Sequence, residues 1–161
     1  MLEILKKKRQ EGFTLVELLI VIVIIAILAA LVIVTFSGVQ QRARNTERQT
    51  DVAALAKYLE IFYADNAKYL AQNDMSDTAA NIKLKLPGLD TNALVAPQAS
   101  NTNSYIVGAG AENPTTVQYG YKAWTDVAKT TACTTTGSTC LKYTLYWNEE
   151  GVGVKSKDSS N

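Results

Sequence analysis

Few residues in this chain could carry chemistry, and they fall in two places. Glu17 is the one ionisable side chain between Phe13 and Phe36, in a stretch that is otherwise almost entirely apolar. A carboxylate in such a segment is costly, and it therefore indicates a function for Glu17 rather than a structural accident. Cys133 and Cys140 flank six residues, five of which are Ser or Thr and one of which is Gly. Two thiols at this spacing could form a disulfide, help to bind a metal or remain free.

The residue types that are missing exclude most enzymatic chemistry. The sequence contains no histidine, which is the commonest general base and metal ligand. It also lacks a nucleophile elbow, a phosphate-binding loop and a zinc motif, and two thiols alone cannot complete a tetrahedral zinc shell. We therefore expect no enzyme activity, no catalytic residues, no bound metal and no cofactor. The adjacent carboxylates Glu149 and Glu150 are interpreted as solvated turn residues.

The element that must position Glu17 is a long apolar helix. Leu18 to Val34 form an unbroken apolar run. A helix from Phe13 to Phe36 would be about 36 Å long, against a hydrocarbon core of about 30 Å, so it could cross a bilayer. Four cations precede the run and favour a cytoplasmic N-terminus: Lys6, Lys7, Lys8 and Arg9.

Three simpler roles compete for the apolar run. A secretory signal peptide has an apolar region of about 7–15 residues, shorter than this one. A plain membrane anchor would gain from losing Glu17. A buried core helix would need a cover of apolar residues that the rest of the chain does not supply. Beyond the run, Arg42, Arg44 and Arg48 weaken the orientation without reversing it, and they are expected at the membrane interface or in subunit contacts.

The segment from Lys6 to Leu18 resembles the class III signal of bacterial type IV prepilins and the related pseudopilins. Four features coincide in order: a short basic leader, Gly12, Phe13, and Glu17 at the start of an apolar helix. The resemblance implies that a prepilin peptidase cuts between Gly12 and Phe13, which makes 1–12 a leader peptide, and that the new Phe13 amino group is N-methylated. It also implies that the Glu17 carboxylate pairs with the Phe13 amine of a neighbouring subunit during assembly.

The predicted helix continues beyond the apolar run. Over 13–39 it is apolar on all sides and forms the transmembrane or filament-core half, and over 40–69 it is amphipathic. Many members of the resembled family carry a Pro in the apolar half. Here the first proline is Pro87, and Gly38 is the candidate for a local weakening. One helix from about residue 14 to about residue 64 is predicted, with one apolar stripe in its second half: Val52, Leu55, Ala56, Leu59, Phe62 and Tyr63.

Residues 70–161 are predicted to form a small head that covers this stripe. Pro87-Gly88 indicates a turn, and the candidate strands are 104–107, 117–124, 141–147 and 152–155. The predicted fold class is α+β, a type IV pilin-like lollipop: a long N-terminal helix whose apolar half protrudes, packed on a small antiparallel sheet of three or four strands. Two strands show matching apolar faces: Tyr119, Tyr121 and Ala123 on one, and Leu141, Tyr143, Leu145 and Trp147 on the other.

The two cysteines are predicted to form a disulfide, because an exported head matures in an oxidising compartment. Two free thiols remain the alternative. A disulfide between Cys133 and Cys140 would close a short loop and stabilise the head by roughly 2–2.5 kcal/mol in the chain-entropy treatment. Its place near the C-terminus is similar to the longer disulfide loop of many type IV pilins.

The resemblance implies a structural function: the major subunit of a type IV pilus that serves adhesion, surface motility or DNA uptake, with copies of itself as the main partner. The alternative is a pseudopilin or minor pilin of a type II secretion-like or competence filament. The precursor is expected to be a single-pass membrane protein that meets the prepilin peptidase and the inner-membrane assembly machinery, and then joins an extracellular pilus. With a net charge of +1, any DNA binding would be unspecific.

Overall fold

The computed structural model describes residues 12–99, 106–107 and 112–160. The basic residues predicted to form the leader at 6–9, the first two residues of the strand predicted at 104–107, and the last residue of the tail lie outside the described residues. The chain divides into two compact units, Met1–Gln40 and Gln41–Asn161. The second unit contains the sheet.

A single helix, α1 (Leu15–Asn66), runs through 52 residues. Gly38 does not interrupt it. The helix ends where Ala67 adopts a left-handed backbone conformation with φ 55°, and the Ala67 N–H bonds to the Tyr63 carbonyl at 2.7 Å. The predicted limits, about residues 14 and 64, lie within two residues of the observed ones.

The second half of α1 packs one face into the head. Phe62 and Tyr63 are half-buried and lie against the apolar core of the head. Full burial of a large aliphatic side chain stabilises a fold by roughly 1.5–3 kcal/mol, so this face ties the helix firmly to the sheet. The predicted stripe is confirmed, since its other four members have exposed fractions of 4% or less: Val52, Leu55, Ala56 and Leu59.

Between α1 and the sheet, the chain forms short helices and turns. α2 (Gln72–Met75) and α3 (Ala79–Lys85) are followed by a 3-10 turn at Thr91–Leu94. The predicted turn at 87–88 is present, and Gly88 has φ 92°. The Tyr58 hydroxyl on α1 donates a hydrogen bond to the Gly88 carbonyl at 2.7 Å, which fixes this turn beside the helix.

The sheet contains four strands in the order β1-β2-β3-β4. β2, β3 and β4 pair antiparallel, whereas β1 is parallel to β2. The predicted antiparallel sheet is confirmed in β2, β3 and β4, and the short β1 adds a parallel strand that the sequence did not predict. Eleven residues join β1 to β2, close to the dozen or so that a parallel crossover needs and far more than a hairpin requires. The strands are β1 (Ile106–Val107), β2 (Tyr119–Trp124), β3 (Lys142–Glu149) and β4 (Gly153–Asp158).

β2 and β3 are neighbours, and the two apolar faces predicted from the alternation lie on the same side of the sheet. Tyr121 lies opposite Leu145 and Ala123 lies opposite Tyr143, and all four side chains are buried. They belong to the same apolar cluster as the α1 stripe, so the sheet covers that stripe. β4 is an edge of the described sheet, and its side chains over 154–158 are exposed.

Candidate functional site at the start of the long helix

Glu17 lies in the first turn of α1 and closes that turn on Thr14. The Glu17 oxygen Oε2 accepts hydrogen bonds from the Thr14 backbone N–H at 2.9 Å and from the Thr14 hydroxyl at 2.8 Å. The Thr14 hydroxyl oxygen accepts a bond from the Glu17 N–H at 3.2 Å. This reciprocal pattern is a capping box, in which Thr precedes the helix and Glu stands three residues later. The Thr-x-x-Glu spacing is a sequence signal for such a cap, and sequence reasoning missed it.

The apolar residues around Glu17 are not covered by any other part of the chain that the structure describes. By length and composition α1 is able to cross a membrane. In water, a surface of this kind has to be covered by lipid or by other apolar helices. All the large hydrophobic side chains that the structure describes over 13–39 are exposed, from 47% at Val23 to 84% at Phe13.

Gly12 and Phe13 precede the helix in an accessible segment. Both are exposed, and a Cβ added at Gly12 would meet no atom within 4 Å. The residue types at these two positions therefore call for an explanation outside the packing of this chain.

A second group of charges lies in the head, at the turn between β3 and β4. The Glu150 carboxylate pairs with Arg44 at 2.5 Å and with Arg48 at 2.8 Å. Arg48 is 0% exposed, and its other donors reach Asn45 Oδ1 at 2.8 Å and the Thr116 carbonyl at 2.9 and 3.1 Å. Hydrogen bonds from Arg44 and then Arg48 lower the pKa of Glu150 to about 2. These five residues are called the polar clamp below.

The polar clamp corrects two predictions. Glu150 is not a solvated turn residue, and its buried neighbour Glu149 accepts a bond from the Trp147 indole N–H at 2.9 Å. Arg44 and Arg48 were expected at the membrane interface or in subunit contacts, but both bind Glu150 within the head. Partners that lie more than 100 residues apart leave no local pattern in a sequence, which is why the clamp was not predicted.

The structure joins Cys133 and Cys140 in a disulfide, with Cα atoms 5.7 Å apart. Both cysteines are buried and neither thiol is free. The Cys140 carbonyl accepts a bond from the Tyr69 N–H at 2.8 Å, and the Cys133 carbonyl accepts one from the Gln72 N–H at 3.0 Å. The disulfide thus fixes the segment that follows α1 against the sheet. Within the described ranges, no group of three or more acidic, Cys or His side chains is placed to hold a metal ion.

Comparison with known proteins finds similarity in the N-terminal segment and also in the head. A family profile described as the prokaryotic N-terminal methylation motif matches residues 7–33. The chain is 34% identical over 103 residues to the type IV wide pilus major component PilA4 of Thermus thermophilus, which covers 64% of this chain and 75% of that protein. It is 36% identical over 77 residues to the type II secretion system core protein G of Aeromonas hydrophila, which covers 48% of this chain and 54% of that protein.

The chain belongs to the type IV pilin and pseudopilin family. It is also 35% identical over 103 residues to the type IV major pilin protein PilA of Myxococcus xanthus, which covers 64% of this chain and 39% of that protein. This pilin-family chain spans about half the length of the Aeromonas hydrophila relative. No solved structure shows a significant match to it.

In this member of the pilin family, the predicted site residues form one short segment. Gly12, Phe13 and Glu17 lie within the first turn of α1 or just before it, inside the range that the methylation motif matches. The bonds described here connect the Glu17 carboxylate to Thr14 of the same chain. The disulfide and the polar clamp lie in the second unit, and their contacts hold the head together.

Proposed function

We propose that this chain is the major subunit of a type IV pilus that serves adhesion, surface motility or DNA uptake. The observation that carries the proposal is the extent of the match to a protein named as a major pilus component. That match covers 103 residues, more than the 52 residues of α1. It therefore reaches into the head, where the filament surface would be.

The proposal begins with a membrane-inserted precursor. The prepilin peptidase cuts it between Gly12 and Phe13, and the Phe13 amine is then N-methylated. The accessible Gly12 supports this step, because a residue without a side chain leaves the bond on either side open to a protease. The inner-membrane assembly machinery then moves the subunit into an extracellular filament on the cell surface. DNA held by such a filament would be bound without sequence specificity.

Glu17 is proposed to direct assembly by pairing with the Phe13 amine of a neighbouring subunit. Both charges enter an apolar filament core, where each needs a partner. The capping box offers a competing role, since the same carboxylate also stabilises the first turn of α1. The two roles make different demands: a cap needs a hydrogen-bond acceptor, whereas the amine needs a negative charge.

Two matched variants separate these roles. Glu17→Gln keeps the side-chain acceptor of a capping box and removes the charge, whereas Thr14→Ala removes the Thr14 hydroxyl and keeps the charge. If Glu17 acts through its charge, Glu17→Gln should be processed normally while the yield of sheared filaments falls by about tenfold or more, as expected for an unpaired buried charge. Thr14→Ala should assemble to within about twofold of the unaltered chain, because losing one cap costs only about 1 kcal/mol. Normal filaments from Glu17→Gln would refute the charge-pairing role.

The processing step has its own measurement. Intact mass and N-terminal sequencing of protein sheared from cells should give a dominant species that begins at methylated Phe13. A protein found only in the membrane fraction with its first twelve residues attached would contradict the proposed cleavage and leave an anchored surface protein.

A pseudopilin of a type II secretion-like filament is the second candidate. The identity of 36% to a type II secretion core protein supports it. Cells that lack this protein distinguish the two candidates. Loss of surface filaments with normal protein secretion supports the pilus. Loss of secretion with no change in surface filaments supports the pseudopilin.

A further inference from the structure

The outward face of α1 in the head carries four charges that no described residue of the chain neutralises. Arg42, Glu47, Lys57 and Asp65 are all exposed. Within the part of the chain that the structure describes, none of the four side chains takes part in an ion pair or a hydrogen bond. The other charged side chains of this half-helix are engaged, for example Glu60, which accepts bonds from two tyrosine hydroxyls and one backbone N–H.

Helix geometry separates these four charges into two flanks. Glu47 and Asp65 are eighteen residues apart, which is about five full turns, so they lie on one line along the helix. At about 100° per residue, Lys57 lies about 80° around the helix from that line and Arg42 about 140° from it, both in the same direction. The exposed face of the helix therefore has an acidic flank and a basic flank.

The acidic flank borders a groove of about 220 Å³ in the head. Tyr58, Ile61 and Phe62 of α1 form one wall of the groove, the segment 84–87 forms the other, and Asp65 is among the lining residues. Lys85, which also lines the groove, is already bonded to the Asp74 carboxylate at 2.9 Å, so it does not neutralise Asp65.

The chemistry of the groove selects a long aliphatic cation. The methylene chain of a lysine can lie on apolar walls while its ammonium group reaches a carboxylate, and the aromatic rings of Tyr58 and Phe62 also attract cations. An uncharged apolar side chain would remove water from Asp65 without offering it a partner, which costs free energy. An anionic ligand would be repelled by the same carboxylate.

The spacing of the charges identifies a source for that cation. Lys57 precedes Asp65 by eight residues and Arg42 precedes Glu47 by five, which correspond to axial distances of about 12 Å and about 7.5 Å. In both pairs the cation is nearer the N-terminus. A parallel second copy of the helix, displaced by about 10 Å along the axis, would therefore place its Asp65 within side-chain reach of Lys57 and its Glu47 within side-chain reach of Arg42.

We propose that Lys57 of one copy inserts into the groove of a neighbouring copy, with its ammonium group on Asp65, while Arg42 of the first copy faces Glu47 of the second. The proposal rests on the proposed filament function and adds a contact between heads to it. Because the basic flank of one copy meets the acidic flank of the next, the contact is heterologous and repeats into an open filament instead of closing a dimer. In the proposed cleaved subunit, the Phe13 amine would follow the same order, four residues before the Glu17 carboxylate.

Charge exchange tests this contact. Lys57→Glu and Asp65→Lys should each lower the yield of sheared filaments by about tenfold, because each places like charges together at a contact that repeats at every subunit. The double variant Lys57→Glu with Asp65→Lys should restore the yield to within about twofold of the unaltered chain, because the pair is rebuilt with its signs exchanged. Lys157→Glu, at an exposed position on β4, makes the same change of charge away from the contact and should leave the yield unchanged.

The outcomes separate this contact from the function on which it rests. Normal filament yield from Lys57→Glu, or a double variant no better than the single ones, overturns the contact while the pilus function stands. Absence of filaments from the unaltered chain overturns both. The disulfide and the protease resistance of the head should be intact in every variant, because both positions are exposed. Rescue by exchanged charges therefore reports on assembly and not on folding.

Discussion

The two halves of α1 have the same backbone geometry but opposite relations to their surroundings. Over 13–39 all the large hydrophobic side chains that the structure describes are exposed, whereas the stripe that begins at Val52 is buried against the sheet. The first half is apolar on all sides and needs a cover of lipid or of other apolar helices. The second half has a solvent-facing side and a core-facing side. Truncation of an apolar side chain should therefore affect assembly in the first half and head stability in the buried stripe of the second half.

The largest effect on head stability should come from truncating Leu59 in the second half of α1, and Leu28 in the first half is its matched control. Leu59 is 0% exposed and Leu28 is 57% exposed. Leu59→Ala should lower the free energy of unfolding of the head by about 2–5 kcal/mol, through lost burial and the cavity it leaves. Leu28→Ala should change it by less than about 0.5 kcal/mol. Denaturant unfolding of the full chain in detergent, followed by the fluorescence of the head tryptophans, measures both. Equal effects would show that the two halves do not differ in this way.

A smaller effect should separate two arginines within the second half. Arg48 is 1% exposed at its side chain and Arg44 is 25% exposed, although both bind Glu150. Arg48→Met should destabilise the head by about 3 kcal/mol, because it removes a fully buried guanidinium and leaves the half-buried Thr116 carbonyl and Glu150 carboxylate short of donors.

Arg44→Met removes the same charge at a position where water can replace the lost donor, so its loss of stability should be clearly smaller. The same unfolding measurement ranks the two. If Arg44→Met lowered the free energy of unfolding more than Arg48→Met, the burial of the arginine would not determine how much it contributes to the polar clamp.

The smallest effect concerns pH and the polar edge of the buried stripe. Asp51 is half-buried and accepts a hydrogen bond from the Tyr119 hydroxyl at 2.6 Å. Burial raises the pKa of Asp51 to about 6, and repulsion from Glu47 and Asp90 adds to the rise. An unfolded aspartate has a pKa of about 3.9. Between about pH 4 and pH 6 the folded state therefore binds more protons than the unfolded state, and Asp51 lowers head stability as the pH rises through that range.

Asp51→Asn keeps an acceptor for Tyr119 and removes the charge. The variant should be more stable than the unaltered chain at pH 7 by about 1 kcal/mol, a value reduced for partial exposure, and the difference should disappear near pH 4.

Glu150→Gln is the control with the opposite sign, because the pKa of Glu150 is lowered to about 2. Its carboxylate stabilises the fold above about pH 4.5, and that contribution is lost as the pH falls toward 2. Unfolding curves between pH 3 and pH 8 test both variants. A pH-independent gain from Asp51→Asn would contradict the assigned pKa.

The elements with a periodic pattern of apolar residues could be predicted from the sequence. Helical spacing located the buried stripe, and strict alternation identified the matching apolar faces of β2 and β3, on which Tyr121 lies opposite Leu145. The parallel direction of β1 was not predictable, because a two-residue strand carries too little pattern to specify the direction of its partner. The polar clamp was missed because arginines are expected at surfaces and nothing local identifies Glu150 as a distant partner.

The candidate site was located from residue types, but its local structure was not. Glu17 was identified because a carboxylate is out of place in an apolar segment. Its bonds to Thr14 follow from the capping-box spacing, which is a short-range signal that was available in the sequence. For the four charges of the two flanks, exposure could be predicted from helical periodicity. The groove beside Asp65 could not be predicted, because it depends on the position of the segment 84–87, which no local pattern specifies.

The edge strand β4 has a consequence for keeping such a protein from aggregating. Lys155 lies opposite Trp147 and Lys157 lies opposite Leu145, so both lysines stand on the apolar side of the sheet while remaining exposed. A foreign strand that added itself to this edge would have to desolvate them. Crowded heads could then lie side by side without merging their sheets, and the lysines would act as gatekeepers against amyloid-like growth.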